Sequence, residues 1–332
     1  MAVTIYDLAE KAGVSISTVS KALSDSYTIS ETTKERIKEL AMEIGYQPNV
    51  RARNFARQKN GAVLFATNLS KGVGFDNPHM FEIVTGIERC LDERGISLIL
   101  KHIDINDGPE KVRAIMQAEE ADGIILHAGI LSNKLATYIT KESLPHLVIG
   151  KPSFASRVNW IDISHEAAGQ LAADYLLDKG YGRILFMMGN HDNDMISARR
   201  LSGLLVALEE EKLPIETYEN VTTYEEARKA TLEIAKKDEL PEVILCTNNY
   251  LAMGCIQALR EENIAIPKDV ALMTFDNYPF SMLTEPTLTA VEVDMHEMGW
   301  QAARFMMQQI KKPNLQTQSF CTTPLIIERD ST

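Results

Sequence analysis

Apolar residues recur at helical spacing in three short runs near the start of the chain. Each run follows a hydroxyl side chain that can cap a helix, namely Thr4, Ser15 and Ser30. The first predicted helix ends at Gly13, the second near Leu23 and the third at Gly45. A fourth short segment, Asn49–Arg57, follows. We therefore predict a small all-α domain at the start of the chain.

After Gly61 the pattern changes to short apolar runs that alternate with amphipathic stretches. The predicted strands are Ala62–Thr67, Ser97–His102, Gly123–His127, His146–Ile149, Arg183–Met188, Val243–Thr247 and Val270–Phe275. The predicted helices are Met80–Arg94, Pro109–Glu119, Glu166–Lys179, Ala198–Glu211, Glu225–Lys236, Ala252–Glu262 and Glu297–Lys311. Because the alternation occurs once before and once after about Trp160, we predict an α/β domain of two lobes. Each lobe is a doubly wound parallel sheet, and ligands of such sheets bind at the carboxyl ends of the strands.

The charge of the chain is distributed unevenly between these two regions. The 332 residues carry a formal net charge of -12. Residues 1–60 hold nine basic and seven acidic side chains, so the remainder carries -14. Within residues 47–60 there are bases and no acid, namely Arg51, Arg53, Arg57 and Lys59. An anionic body with a basic head is expected to turn that head toward phosphate.

Several classes of protein lack their sequence signals here. No run of about 18 apolar residues is present, and the first residues form no secretory signal, so we expect a cytoplasmic protein without membrane association. The four cysteines form no CxxC pair and are expected to be reduced thiols. Phosphate-binding glycine loops, a nucleophile elbow and zinc-type histidine pairs are all absent. We therefore predict no catalysis, no cofactor and no metal.

The densest motif is Ala9-x-x-Ala12-Gly13-Val14-Ser15-x-x-Thr18-Val19-Ser20. A helix, a tight turn with glycine and a second helix rich in hydroxyls are typical of a helix-turn-helix, whose second helix enters the major groove. The side chains that suit base edges are Ile16, Ser17 and Lys21. Those that suit phosphates are Ser15, Thr18 and Ser20. A small helical bundle used for protein docking is the alternative.

This segment resembles the head of the lactose-repressor (LacI/GalR) family. The resemblance continues through Ile44-Gly45-Tyr46-x-Pro48-Asn49 and Ala52-Arg53. It extends along the lobes through Gly86-Ile87-Glu88, Ala121-Asp122-Gly123-Ile124-Ile125, Arg200-x-x-Gly203 and Phe275-Asp276-Asn277. It therefore covers nearly the whole chain, and it implies a transcription regulator, acting as a repressor, with a periplasmic-binding-protein-like core.

The resemblance also implies the division of the chain into domains. Residues 1–47 correspond to the head, 48–60 to a hinge helix and linker, and 61–332 to the effector-binding and dimerisation domain. Lobe 1 comprises about 61–161 and 293–321, and lobe 2 about 162–292 and 322–330. In the family the hinge helix inserts an apolar wedge into the minor groove, and Phe55 stands at that position. The remaining residues assigned to DNA are Thr4, Tyr46, Asn49, Ala52 and Arg53.

For the cleft, the resemblance implies that Arg200 and Asp276 grip the hydroxyls of an effector, with Asn248 beside them. An Arg–Asp ion pair that only ties two loops together is the alternative. Contacts at the other rim of the cleft are expected from Phe75, which can stack on a ring, and from Lys151. The Gly-Lys-Pro stretch around Lys151 is similar to maltose-type members of the family, which points to a glucoside.

These assignments together predict a homodimer that binds a pseudo-palindromic DNA operator and a small effector, a sugar, in the cleft between its lobes. A core that responds to a non-sugar ligand or to a protein co-regulator is the alternative. A transport-type solute-binding protein shares the two-lobed fold, but that class predicts a signal peptide and no helical head. The sequence has the opposite of both features.

Overall fold

A computed structural model of the chain describes residues 4–23, 26–46, 61–69, 78–118, 121–192, 194–237, 239–312 and 320–332. The chain forms two compact units, residues 1–61 and 62–332. Among the helices in these ranges, none combines the length and the apolar character that crossing a bilayer requires.

The described residues of the first unit form three helices, α1 (Ile5–Ala12), α2 (Ile16–Leu23) and α3 (Glu31–Glu43). Thr4 and Asp7 form a reciprocal capping box at the start of α1, and Gly13 ends this helix in the left-handed conformation. Helix α3 ends two residues before the predicted Gly45, because Ile44 already serves as its C-cap. The buried residues at the centre are Leu8, Ala9, Ala12, Val19, Ala22, Ile37 and Ala41. The predicted segment 49–57 lies outside the described residues.

In the part of the second unit that the structure describes, the strands form two six-stranded sheets. The strands of the first are β1 (Ala62–Thr67), β2 (Ser97–His102), β3 (Gly123–His127), β4 (His146–Ile149), β5 (Trp160–Ile163) and β11 (Phe320–Thr322). The strands of the second are β6 (Ile184–Met187), β7 (Ile215–Tyr218), β8 (Val243–Cys246), β9 (Ala271–Phe275), β10 (Thr289–Glu292) and β12 (Leu325–Ile327). The helices are α4 (His79–Asp92), α5 (Pro109–Ala118), α6 (Asn133–Lys141), α7 (His165–Asp178), α8 (Met195–Glu210), α9 (Tyr224–Ile234), α10 (Asn249–Glu261) and α11 (Met295–Lys311).

The strand orders are β11-β5-β4-β3-β1-β2 and β12-β10-β9-β8-β6-β7. Every described pairing is parallel except that of β12, which runs antiparallel to β10 at the edge of the second sheet. Two doubly wound parallel sheets were predicted, and the fold confirms this class except for the antiparallel edge strand β12. Strands β5, β7, β10, β11 and β12, of three or four residues each, were not predicted. Helix α6 was missed as well.

On each sheet, the backbones of two neighbouring helices approach so closely that only glycine fits at the contact. On the first sheet, a Cβ added to Gly86 of α4 would collide with the backbone of α11, and one added to Gly299 would collide with α4. On the second sheet, Gly169 of α7 and Gly203 of α8 are related in the same way. These glycines are required for the close approach of backbones, and they fix α8, which carries Arg200, firmly against α7.

Candidate functional site: a DNA-binding surface and a ligand cleft

Helix α2 presents the predicted base-reading side chains to solvent. Ile16 is 38% exposed although it is apolar, and Ser17 and Lys21 are exposed as well. The opposite side of this short helix buries Val19 and Ala22 in the core of the head. This distribution exposes the three predicted residues to solvent, as contact of a recognition helix with DNA requires.

The predicted phosphate-binding hydroxyls have structural partners within the head. Ser15 Oγ accepts a hydrogen bond from the backbone N–H of Thr18 at 3.1 Å, so Ser15 caps α2. The hydroxyls of Ser15 and Thr18 are 2.9 Å apart, and Thr4 is engaged by Asp7. Tyr46 is half-buried against the core of the head. The other residues assigned to DNA lie outside the described residues, namely Asn49, Ala52, Arg53 and Phe55.

A cleft of about 780 Å³ lies in the second unit and is lined by residues of both sheets and their helices. Its walls are formed where strands end and helices begin, as at Thr247 after β8 and Asn248 before α10. Parallel α/β sheets bind ligands at this end of their strands, and small-molecule sites have volumes of roughly 300–1,000 Å³. Of the predicted effector contacts, the cleft brings together Lys151, Arg200, Asn248 and Asp276. Phe75 lies outside the described residues.

Arg200 and Asp276 form the polar centre of one end of the cleft. The guanidinium of Arg200 is buried, donates to the backbone oxygen of Thr247 at 2.6 Å and donates to Asp276 Oδ1 at 3.0 Å. Its plane lies over the ring of Phe275, with 4.4 Å between Cζ and the ring centroid. Asp276 has a positive φ of 69°, in the left-handed region where aspartate is tolerated better than most residues. The arginine is therefore held by the ends of two neighbouring strands.

The electrostatics of this end favour an ionised Asp276. Burial by itself raises the pKa of Asp276, but the Arg200 charge and His79 outweigh burial and lower that pKa to about 2. His79 Nε2 is 3.5 Å from Asp276 Oδ1, and its ring packs edge-on to Tyr278 at 4.5 Å. Burial, and secondarily the charge of Asp276, raises the pKa of Tyr278. At neutral pH this end therefore presents a carboxylate and an un-ionised phenol.

Asn248 and Asn249 have different roles. Asn248 caps α10 by accepting from the backbone N–H of Leu251 at 3.1 Å, and it lines the cleft. Asn249, which the sequence analysis did not assign, is fully buried and donates to the backbone oxygen of Asp276. Its own side-chain oxygen accepts from Ser281 Oγ at 2.8 Å. Asn249 therefore positions the Asp276 loop, and the only signal for it was an amide directly after a capping asparagine.

A second charged cluster in the cleft surrounds Asp162, at the end of β5. Asp162 accepts from the backbone N–H of Lys151 at 2.9 Å and from Arg199 Nη1 at 3.4 Å. His165 Nε2 is 3.6 Å from Asp162 Oδ1. Burial acts to raise the pKa of Asp162, but hydrogen bonds and charge from His165 and backbone donors lower it overall. The cluster was missed because β5 was not predicted as a strand.

Comparison with known proteins matches both units. Residues 4–49 match the family described as "Bacterial regulatory proteins, lacI family". Residues 173–332 match the family described as "Periplasmic binding protein-like domain". Catabolite control protein A of Priestia megaterium is 28% identical over 317 residues, which is 94% of each chain. The complex of the transcriptional regulator CelR with cellobiose has a TM-score of 0.70 at 22% identity and covers 99% of this chain and 100% of that one. The lac repressor dimer bound to operator and the anti-inducer ONPF has a TM-score of 0.69 at 21% identity, with coverages of 100% and 99%.

A helix-turn-helix head followed by a periplasmic-binding-protein-like core of two sheets defines a class of DNA-binding transcription regulators. The two family matches occur in this order along the chain. Catabolite control protein A aligns with 94% of this chain. The chain therefore carries a helix-turn-helix domain of the lacI family followed by a periplasmic-binding-protein-like domain, and it is similar to such regulators over nearly its whole length.

Proposed function

We propose that this regulator is a homodimer whose affinity for a pseudo-palindromic operator is controlled by a sugar bound in the cleft. The two heads occupy successive major grooves through Ile16, Ser17 and Lys21, and Phe55 of each hinge segment enters the minor groove at the operator centre. The protein acts in the cytoplasm and catalyses no reaction, since its outputs are two coupled binding equilibria. Ligand binding changes the angle between the lobes and thereby the pairing of the hinge segments.

The observation that carries the proposal is the arrangement of Arg200 and Asp276. An arginine has five N–H donors, and the described chain uses two of those of Arg200. Asp276 Oδ2 accepts no hydrogen bond from the described residues, whereas Oδ1 is engaged. Donors and an acceptor therefore lie side by side at one end of the cleft. Vicinal hydroxyls of a sugar need this combination, because each hydroxyl both donates and accepts.

The apolar surface of the cleft suits the carbon side of a sugar ring. Met195 and Ile196 begin α8, line the cleft and are 45% and 48% exposed. Large apolar side chains that remain exposed in a concave site are typical of ligand-binding walls. The similarity in fold to a regulator in complex with cellobiose supports a carbohydrate as the effector. The lac repressor, a further neighbour in fold, is described as a dimer on its operator.

The alternative of an ion pair that only ties two loops together predicts a different response to mutation. Arg200 does join the ends of β8 and β9 through Thr247 and Asp276. If this were its whole role, Arg200→Ala would lower stability and leave ligand affinity unchanged. Under the proposal, the same variant loses the ligand response and keeps operator binding.

The test is thermal unfolding of the full chain against a panel of mono- and disaccharides, sugar phosphates and purines. A ligand present at a hundredfold excess over its Kd stabilises the native state by about 2.7 kcal/mol. We expect one sugar to raise the Tm of the wild type and of Arg228→Ala, and to leave that of Arg200→Ala unchanged. Arg228 is the control because it pairs with Glu261 at the surface and does not line the cleft.

Titration of operator DNA with that sugar then gives the sign of the response. If a purine shifts the wild type and no sugar does, the effector belongs to another chemical class and the sugar proposal is wrong. If no small molecule shifts it, a protein co-regulator becomes the better hypothesis. Binding of the protein to its operator is measured separately and does not depend on this outcome.

A further inference from the structure

We propose that the cleft has a second polar subsite, formed by Lys151, Arg199 and His165 around Asp162, that binds an oxyanion on the effector. The effector is then a polyhydroxylated molecule with a negative group, such as a sugar phosphate or a sugar acid. This inference rests on the proposed function, because it deepens the chemistry of the same cleft. It assigns a charge to the ligand and a role to the Asp162 cluster, which is separate from the contact between Arg200 and Asp276.

Lys151 supplies a cation without a fixed counter-charge. Its backbone N–H is bonded to Asp162, so the start of its side chain is fixed, while the side chain itself is exposed and lines the cleft. The ammonium lies 5.7 Å from the centroid of the Trp160 ring, and no carboxylate of the described residues lies within ion-pair distance of it. A lysine that is unpaired at the wall of a ligand cleft is suited to bind an anion as a point charge.

Arg199 and Asp162 are buried partners, with side-chain exposures of 16% and 11%. Their contact of 3.4 Å is long for a charge-assisted hydrogen bond, and Arg199 Nε is 3.9 Å from Glu166 Oε1. Glu166 is 53% exposed, so solvent screens its charge more strongly than that of the buried pair. Both carboxylates of the cluster thus lie against Arg199, and Lys151 has no ion pair among the described residues.

Two histidines add hydrogen-bonding groups to the same end. His165 is 3% exposed, and its Nδ1 is buried and has no hydrogen-bond partner among the described residues. An unpartnered buried ring nitrogen is costly, so the His165 ring is held here at an energetic cost. His127 lines the cleft, and its Nδ1 accepts from the backbone N–H of Gly129 at 3.2 Å. Burial lowers the pKa of His127, so the neutral ring keeps its proton on Nε2 as a donor.

The neighbouring positions of Arg199 and Arg200 explain how one ligand can reach both ends. Successive residues of an α-helix project about 100° apart, and here Arg199 faces Asp162 whereas Arg200 faces Asp276. One turn of α8 therefore supplies a guanidinium to each end of the cleft. A ligand with hydroxyls at one end and an oxyanion at the other would be held by both.

The experiment compares matched ligands on the full-length protein by isothermal titration calorimetry. The probes are glucose, glucose 6-phosphate and glucuronate, and ribose with ribose 5-phosphate. The variants are Lys151→Met and Lys151→Glu, with Lys134→Met as a control on the exposed side of α6. We expect an anionic probe to bind the wild type and the control at least tenfold more tightly than its neutral parent, and Lys151→Met to remove most of that advantage. Which anionic probe gains distinguishes phosphate from carboxylate.

Inorganic phosphate tests the subsite itself, whichever sugar the protein prefers. At constant ionic strength, replacing chloride by phosphate should raise the Tm of the wild type and of Lys134→Met. The rise should be smaller for Lys151→Glu. The proposal would be overturned if phosphate shifted the Tm equally in all variants. It would also be overturned if phosphate at a 50-fold molar excess and above left the Tm of the wild type unchanged. If neutral sugars bind and their phosphates gain nothing, the oxyanion subsite is wrong and the sugar effector stands. If no neutral or anionic sugar binds but phosphate raises the Tm through Lys151, the oxyanion subsite stands and the sugar effector is wrong.

Discussion

Replacing Arg200 by methionine should remove a pH-dependent part of the stability of the second unit. Methionine keeps an apolar side chain over the Phe275 ring, so the change is concentrated in the loss of the guanidinium. Asp276 then loses its main counter-charge while remaining largely buried, with 16% side-chain exposure. The carbonyl oxygen of Thr247 loses a donor as well.

The magnitude follows from the pKa of Asp276. Its pKa is lowered from 3.8 to about 2 in the folded protein, and each unit corresponds to about 1.36 kcal/mol. The ionised Asp276 therefore stabilises the folded state by about 2 kcal/mol at neutral pH. Because the folded pKa is the lower one, this contribution is complete above about pH 5. It decreases below pH 3.8 and is mostly lost as the pH falls to 2.

The assay is urea unfolding of wild type and Arg200→Met from pH 7 to pH 3, followed by far-UV circular dichroism. We expect the variant to be less stable by at least about 2 kcal/mol at pH 7, and the difference to shrink toward pH 3. Arg228→Met is the matched control, since its partner Glu261 is a third exposed and solvent screens the pair. A difference between wild type and Arg200→Met that is independent of pH would refute the electrostatic account and leave packing as the cause.

Three further predictions concern packing and DNA binding. Gly203→Ala should lower the free energy of unfolding by about 1–3 kcal/mol and weaken sugar binding, because the new methyl collides with the backbone of Glu166 and displaces α8. In the control Gly182→Ala, the added Cβ meets nothing closer than 3.9 Å. This control should change neither quantity in the same urea-unfolding and calorimetry assays. Phe55→Ala should weaken operator binding in a fluorescence anisotropy titration and leave sugar affinity unchanged, whereas Arg200→Ala should do the opposite; equal losses of both activities in either variant would contradict this division. Ser17→Ala should change the preference at one operator base pair by about 1–3 kcal/mol, while Ser20→Ala should weaken binding evenly across operator sequences, as measured on a set of single-base operator variants.

Much of the fold was visible in the sequence because local signals coincide with the final structure. The caps Thr4 and Ser30 mark the starts of α1 and α3, and the apolar runs mark β1 to β4 at their observed boundaries. Short strands such as β7 were not visible, since four residues at a sheet edge with exposed polar side chains form no distinct pattern.

The candidate site divides in the same way. Arg200 and Asp276 could be assigned because a family motif marks each of them, and the structure joins them directly. The cluster around Asp162 depends on tertiary contacts among residues 151, 162, 165 and 199, and no local pattern relates these positions. Asn249 was missed for a similar reason, because its partners Asp276 and Ser281 lie about thirty residues away.

The contacts at the two ends of the cleft also suggest how ligand binding reaches the lobes. His79 begins α4 on the first sheet and lies against Asp276 at the end of β9 in the second sheet. At the other end, Arg199 of α8, which packs on the second sheet, contacts Asp162 of the first. Each polar contact therefore crosses from one lobe to the other. A ligand that binds Asp276 or Arg199 either competes with these contacts or reinforces them. It therefore changes the angle between the lobes to the extent that it binds one lobe arrangement more tightly than another. By the same linkage, a ligand that weakens operator binding must bind less tightly to the protein on DNA.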